Sequence, residues 1–262
     1  LDKQFETLSE REICAAAGEH RPAEIIILGK TGSLMDDAAE LAARDRCHGT
    51  VLVAEEQTAG RGRHGRTWES TRGLGLYIAI ILDEKKTRDP GSMLSIMSGL
   101  AACEAVRYAG VSAAEVKWPN DVLVGERKIA GTLVSKKTTA GVYIVGTGIN
   151  VHHREGDFPT EFEDKATSIY LETGRDVSRN RVAGLLVRSL FEKNLGFVKW
   201  GPRHIIGEYK NLCVTLGKEV EITEKGKVYN GIAEDITDDG ALLIRTGNEI
   251  KAFYTGEASI NR

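Results

Sequence analysis

The chain has 262 residues, 41% of them hydrophobic, with 35 Lys and Arg against 38 Asp and Glu and a formal net charge of −3. That length allows a sizeable core and two domains, and the composition is that of a soluble globular protein. The slightly negative balance argues against binding nucleic acid or another polyanion through the overall field, so any anion site must come from cations concentrated locally.

The longest apolar runs, near Ile78–Leu82 and Ile25–Leu28, fall far short of the ~20 residues of a membrane span. Charges interrupt the N-terminus early, so no signal-peptide pattern forms. Cys14, Cys47, Cys103 and Cys213 are scattered, with no Cys-x-x-Cys pair. Reduced thiols in a cytoplasmic protein are expected, rather than a disulfide frame or zinc site. His152-His153 has no third ligand at a metal-binding spacing and reads as a solvated pair.

Leu8–Ala17 reads as a short helix, and Glu24–Leu28 as a buried strand. Ser33-Leu34-Met35-Asp36 fits a capping box, and Leu34, Ala38, Leu41 and Ala42 give the following helix its apolar face. Val51–Ala54 is a second strand. Gln57–Ser70 is rich in Gly and Arg, with Trp68 almost its only large apolar residue. Such a segment cannot bury enough area to hold itself, so a mobile loop is expected. Leu74–Leu82 is a strong buried strand, and Met93–Tyr108 a helix closed by Gly110. Strand-like pieces follow at Glu115–Trp118, Val122–Val124, Lys128–Ser135 and Gly141–Gly146, with Gly125-Glu126-Arg127 as a hairpin turn. Their short links favour antiparallel pairing. Arg181–Trp200 is a long amphipathic helix. After Asn211, short β segments alternate with turns at Lys225-Gly226, Asp238-Asp239-Gly240 and Thr246-Gly247-Asn248, which predicts a small all-β domain.

Four segments have the residue types of a ligand site. Gly60-Arg61-Gly62-Arg63-His64-Gly65-Arg66-Thr67-Trp68 combines a backbone able to wrap a ligand with guanidinium forks suited to phosphate or carboxylate. Trp68 adds a flat face on which a purine could stack. Alone, this string slightly favours a solvated basic loop or an Arg-Gly nucleic-acid tract over a ligand site. Its place between two strong strands favours a ligand-covering loop. In Lys117-Trp118-Pro119-Asn120-Asp121, Pro119 ends the pairing and displays Lys117, Asn120 and Asp121 together at strand ends. Lys128-Ile129-Ala130-Gly131 sets a lysine before small residues that let a ligand approach the backbone. Gly146-Thr147-Gly148-Ile149-Asn150-Val151, read alone, is a β-bulge or tight bend. Gly29-Lys30-Thr31 resembles the end of a P-loop, but Glu24 stands where the first glycine is required, and that reading fails.

Together and in this order, the segments resemble the biotin–protein ligases (holocarboxylase synthetases) over about Leu8 to Ile260, including a closing Thr255-Gly256-Glu257-Ala258-Ser259-Ile260. The resemblance implies an α+β fold. Its catalytic part would be like class II aminoacyl-tRNA synthetases, a mixed, largely antiparallel sheet with flanking helices. A small SH3-like β-barrel would follow. The implied division is a lead-in over 1–22, a catalytic domain over 23–210 and a C-terminal domain over 211–262.

The implied activity is ATP-dependent formation of biotinyl-5′-AMP and transfer of biotin to a lysine of a biotin carboxyl carrier domain of a carboxylase. Mg²⁺ would assist, with no metal ligands assigned. By resemblance, Ser33, Gln57, Gly60, Arg61, Gly62, Arg63, Lys128 and Gly131 would meet biotin. Arg63, Arg66, Trp68, Lys117, Asn120 and Asn150 would meet the nucleotide, and Lys128, Arg61 and Asp121 would be catalytic. The family usually has Ser-Thr-Asn where this chain has Ser33-Leu34-Met35, so a threonine hydroxyl contact to biotin is lost. Many members carry an N-terminal winged helix and repress transcription; the short lead-in leaves no room for one, so no DNA binding is expected of this chain. A homodimer through an exposed sheet edge is a further expectation. The rival readings are a lipoate-type protein ligase and a biotin-responsive repressor core.

Overall fold

The computed structural model describes residues 6–44, 48–87, 90–224, 226–256 and 258–260. Residues 1–5 of the lead-in, Cys47, Lys225 and Glu257 lie outside the described residues. In chain order the elements are α1 (Glu10–Ala17), β1 (Glu24–Leu28), α2 (Leu34–Arg44), β2 (Thr50–Ala54), β3 (Gly75–Asp83) and the single turn α3 (Glu84–Thr87). Then come α4 (Met93–Tyr108), β4 (Ala114–Lys117), β5 (Asp121–Val124), β6 (Arg127–Lys137) and β7 (Val142–Asn150). Helices α5 (Ile169–Thr173), α6 (Arg179–Trp200) and α7 (Arg203–Leu212) lead to β8 (Glu219–Glu224), β9 (Lys227–Ile236), β10 (Leu242–Thr246), β11 (Glu249–Phe253) and β12 (Ala258–Ile260).

Seven strands form one mixed sheet in the order β1-β2-β3-β7-β6-β5-β4. Only β1 and β2 pair in parallel, across the α2 crossover; the other pairs are antiparallel, as the short links require. One sheet face packs on α1, α4 and α6. Helix α4 is buried on most of its circumference, as an apolar helix at the centre of a core should be. The other face meets α2 through Leu34, Met35, Ala38 and Ala42 and leaves the rest of its area open. The last five strands form a separate antiparallel sheet in the order β11-β10-β9-β8-β12. It is joined to the first through one continuous core that includes Val220, Ile222, Leu242 and Phe253.

Several expectations change. Strand β1 is a sheet edge rather than a buried strand: with one neighbour, it buries Ile25 and leaves Ile27 36% exposed. The capping box at Ser33 is not made by its hydroxyl, which is buried without a partner among the described residues. The Ser33 carbonyl instead accepts from Asp36 and Asp37 N–H at 2.9 and 3.1 Å. The glycines of 146–150 are neither bulge nor bend; they lie in regular register inside β7. Helices α5 and α7 were not foreseen.

Helices α1 and α6 meet at Gly184, where an added Cβ would lie 2.4 Å from Ala16 Cβ and 2.5 Å from the Ile13 carbonyl oxygen. Gly184→Ala therefore forces these helices apart and should cost about 1–3 kcal/mol, the usual range for overpacking. A lower urea midpoint at an unchanged slope is the expected result.

Candidate active site

The open sheet face holds a cleft of about 920 Å³, lined from both sides of the Gly/Arg segment, by the β4–β5 corner, by β6 and β7, and by residues 153–166. Its floor is a patch of sheet with few side chains. Across the strands, Tyr77 of β3 faces Gly148 of β7, which faces Gly131 of β6, which faces Asp121 of β5. A Cβ on Gly148 would lie 2.3 Å from the Trp68 ring, and one on Gly146 2.6 Å from Met35 Sδ. The glycines thus let α2 and the Gly/Arg segment lie directly on the backbone. Burial pushes the Tyr77 phenol well above its ordinary range, and its hydroxyl donates to Thr71 O at 2.9 Å, so it serves as a neutral strut.

Lys128 faces this floor because β6 is irregular. The pairs Val122↔Ala130 and Leu123↔Lys128 leave Ile129 as an extra residue. In a regular strand, residues three apart point to opposite faces. Here Lys128 and Gly131 both face the cleft while Ile129 and Ala130 enter the core. The lysine stem crosses Gly131, where an added Cβ would meet Lys128 Cε at 2.8 Å. Its Nζ reaches Asp121 Oδ1 at 2.7 Å and lies 5.4 Å from the Trp68 ring centroid. The backbone is pinned as well: Lys128 N–H donates to Lys165 O at 2.8 Å, and Thr167 N–H donates to Lys128 O at 3.0 Å. Asn150 Nδ2 donates to Thr167 O at 2.9 Å.

The Gly/Arg segment does not lie loose. It folds into an irregular hairpin, with Trp68 N–H on Gly60 O at 2.9 Å, Gly62 N–H on Arg66 O at 2.7 Å and Gln57 N–H on Ser70 O at 3.2 Å. Gln57 braces it: Oε1 accepts from Leu34 N–H at 2.9 Å, and Nε2 donates to Ser70 Oγ at 3.0 Å. Arg61 pairs with Asp36 at 2.7 Å, both half exposed, so the pair is weak and readily exchanged for a ligand anion. Arg63 donates to Asn120 Oδ1 at 2.7 Å and to Gly256 O at 2.8 Å, which ties the segment to the β4–β5 corner and to the C-terminal sheet.

Of the residues singled out from sequence, Gln57, Arg61, Gly62, Arg63, Arg66, Trp68, Lys117, Asn120, Asp121, Lys128, Gly131 and Asn150 all line this one cleft. Ser33 and Gly60 do not line it. Ser33 is 3% exposed beside Leu34, and an added Cβ on Gly60 would run into Trp68 O at 2.4 Å, so this glycine allows the segment to close on itself. Trp68 rests on Gly131 and Gly148, which leaves less of its face for a purine than the sequence suggested. The sequence reading missed the wall formed by His153, Phe158, Pro159, Glu161, Phe162 and Lys165. The histidine pair is not solvated: His152 and His153 are buried, and His153 stacks on Phe158 at 4.5 Å between centroids. Aromatic residues so close to that pair were the one available signal.

Residues 38–151 match the model described as the biotin/lipoate A/B protein ligase family, and residues 215–260 match the biotin protein ligase C terminal domain. A biotin–[acetyl-CoA-carboxylase] ligase from Mycobacterium tuberculosis is 32% identical over 89% of this chain and 88% of its own length. A bifunctional ligase/repressor BirA from Bacillus spizizenii is 28% identical over 99% of this chain and 81% of its own. Among solved structures, the biotin protein ligase from Aquifex aeolicus in complex with biotin and ATP superimposes with a TM-score of 0.82 at 32% identity, covering 92% of this chain and 99% of that one. With its motifs gathered in one cleft and its two domains matched in order, the chain belongs to the biotin protein ligase family.

Proposed function

We propose that this chain activates biotin with ATP to biotinyl-5′-AMP and transfers the biotin to a lysine of a biotin carboxyl carrier domain. The observation that carries the reading is the convergence of Arg61, Arg63, Arg66, Lys117 and Lys128 on a single cleft large enough for both reactants. Bringing a carboxylate to a triphosphate sets two anions in contact, which is unfavourable unless cations stand between them.

In the first step a carboxylate oxygen of biotin attacks the α-phosphorus, and pyrophosphate leaves. Lys128 touches the reacting oxygens and stabilises their charge, while the arginines hold the phosphates. Among the described residues no group of three or more His, Cys, Asp or Glu could cage a metal. Mg²⁺ would enter as the partner of the ATP phosphates, which suits an ion that keeps most of its water. In the second step the neutral amine of the acceptor lysine attacks the acyl carbon, and AMP leaves with the bonding electron pair. Asp121, held by Lys128, orients that amine and accepts its proton. The Gly/Arg segment covers the adenylate and excludes water. The glycine floor and Met35 form the apolar end for the biotin ring. The seven-stranded domain is read as class II synthetase-like and the five-stranded sheet as SH3-like.

Incubation of the chain with ATP, Mg²⁺, biotin and a carrier domain should add one biotinyl group to the carrier's lysine, read by mass spectrometry. Transfer of lipoate but not biotin would move the assignment to the lipoate ligases. Lys128→Ala should lower biotin-dependent ATP–pyrophosphate exchange by on the order of 10²-fold or more, the scale seen when a transition-state charge partner is removed. Near-normal exchange would take Lys128 out of the chemistry. Gly148→Ala pushes Trp68 off the floor; biotin binding by calorimetry should weaken, and tryptophan emission should shift to longer wavelength as the ring meets water.

A further inference from the structure

The segment that covers the cleft leaves β2 at its start and enters β3 at its end, so two stems govern how it moves. Both stems are held from one place outside the cleft, the N-terminus of α6. Arg179, fully buried, donates from Nη1 to Glu55 Oε2 at 2.8 Å, just before the segment, and to Gly75 O at 3.5 Å, just after it. Next to it, His152 spans Gly73 O at 3.0 Å and Val177 O at 2.8 Å, linking the outgoing stem to the residues that open α6. The lead-in closes over the same point. Glu6 accepts from Ser178 Oγ at 2.6 Å and Arg179 N–H at 2.7 Å, and its carbonyl accepts from Arg179 Nη2. Leu8 N–H donates to Glu55 Oε1 at 3.1 Å.

A buried arginine–glutamate pair is a poor device for stability alone, because desolvating two charges offsets much of their attraction and an apolar pair of the same volume often does as well. What such a pair does supply is a fixed geometry, enforced because a misplaced partner leaves a buried charge unmatched. Here the geometry fixed is the spacing of the two stems. We infer that Arg179 is a positioning residue that anchors both stems of the 57–73 segment through Glu55 and Gly75, and so sets how long the segment keeps the adenylate enclosed. The lead-in residues Glu6 and Leu8 belong to the same anchor, so a change at the N-terminal side reaches the cleft through it. Only the consequence for the adenylate rests on the ligase reading.

Hydrogen–deuterium exchange on the full chain tests the anchor without any activity. In Arg179→Met the amides of 57–73 should exchange faster by about tenfold, the effect of losing one buried hydrogen bond to a charged group. The amides of α4 and β7 should exchange as in the wild type. Arg179→Lys keeps the charge but, with one nitrogen in place of the fork, cannot hold Glu55 and Gly75 from one prong and the Glu6 carbonyl from the other, and covers the case in which the methionine variant does not fold; it should show the same pattern in weaker form. In turnover with biotin and ATP, the ratio of adenylate lost to solution over biotin transferred should rise about as much as the exchange does, with biotin affinity little altered. Faster exchange confined to the lead-in and the first turn of α6, with 57–73 unchanged, would overturn the inference. An accelerated 57–73 segment in a protein that makes no biotinyl-AMP would instead count against the ligase reading and leave the anchor standing.

Discussion

The cleft depends on one amino group, Lys128 Nζ, being held over its glycine floor. A lysine on a strand normally takes the face its register gives it, and the register of Lys128 gives the wrong one relative to Gly131. The extra residue Ile129 corrects this by turning Lys128 onto the cleft while sending Ile129 and Ala130 into the core. The correction is local, so it needs local support. That support comes from a backbone bridge to Lys165 and Thr167, from Asn150 holding Thr167, and from Asp121 on the neighbouring strand. The cation is thereby placed by the sheet, while the arginines come from the hairpin segment that folds over it.

The cleft is made by omission. Sheet faces carry side chains at every second residue, and a cavity at the middle of a sheet requires that several be absent. Gly131, Gly146 and Gly148 remove them at adjacent positions on two strands. Glycine weakens a strand, and β7 offsets this by lying between two long partners with full ladders on both sides. Met35 and Trp68 then set the shape of the space from the other side, and the same close approach that seats them would admit an apolar ring. Gly60 has a different task from the glycines around it, since it permits contact within the segment rather than with the floor.

The parts legible in the sequence were those carried by contiguous strings. Lys-Trp-Pro-Asn-Asp forms a strand end and corner because Pro119 stops pairing wherever it stands. The long strands and α4 follow from apolar runs that have no other use. What could not be read depends on partners distant in sequence. Whether Gly146–Asn150 bends or stays straight is decided by β3 and β6, which supply unbroken ladders. Whether Lys128 faces solvent or cleft is decided by a one-residue slip against β5. The buried state of His152 comes from two carbonyl oxygens, one about eighty residues away, and periodicity contains no trace of them. Glu24–Leu28 has the composition of a buried strand, yet its position at the edge is fixed by the order in which the whole sheet assembles.

The C-terminal sheet belongs to the same argument. The two most informative strings, the Gly/Arg segment and the Lys-Trp-Pro-Asn-Asp corner, touch each other through Arg63 and Asn120, and each also touches the second sheet. Trp118 is buried, with Nε1 donating to Gly240 O and its backbone N–H to Thr215 Oγ1, both at 3.0 Å. Val214 N–H donates to Val116 O at 2.9 Å, so the chain entering the second sheet runs along the edge strand β4 and covers it. A guanidinium shared between a side-chain amide on one sheet and a backbone carbonyl on the other cannot keep both bonds if the sheets shift. The direction of Arg63 in the cleft therefore follows the seating of the C-terminal sheet, which also holds the corner that carries Asn120 and Asp121.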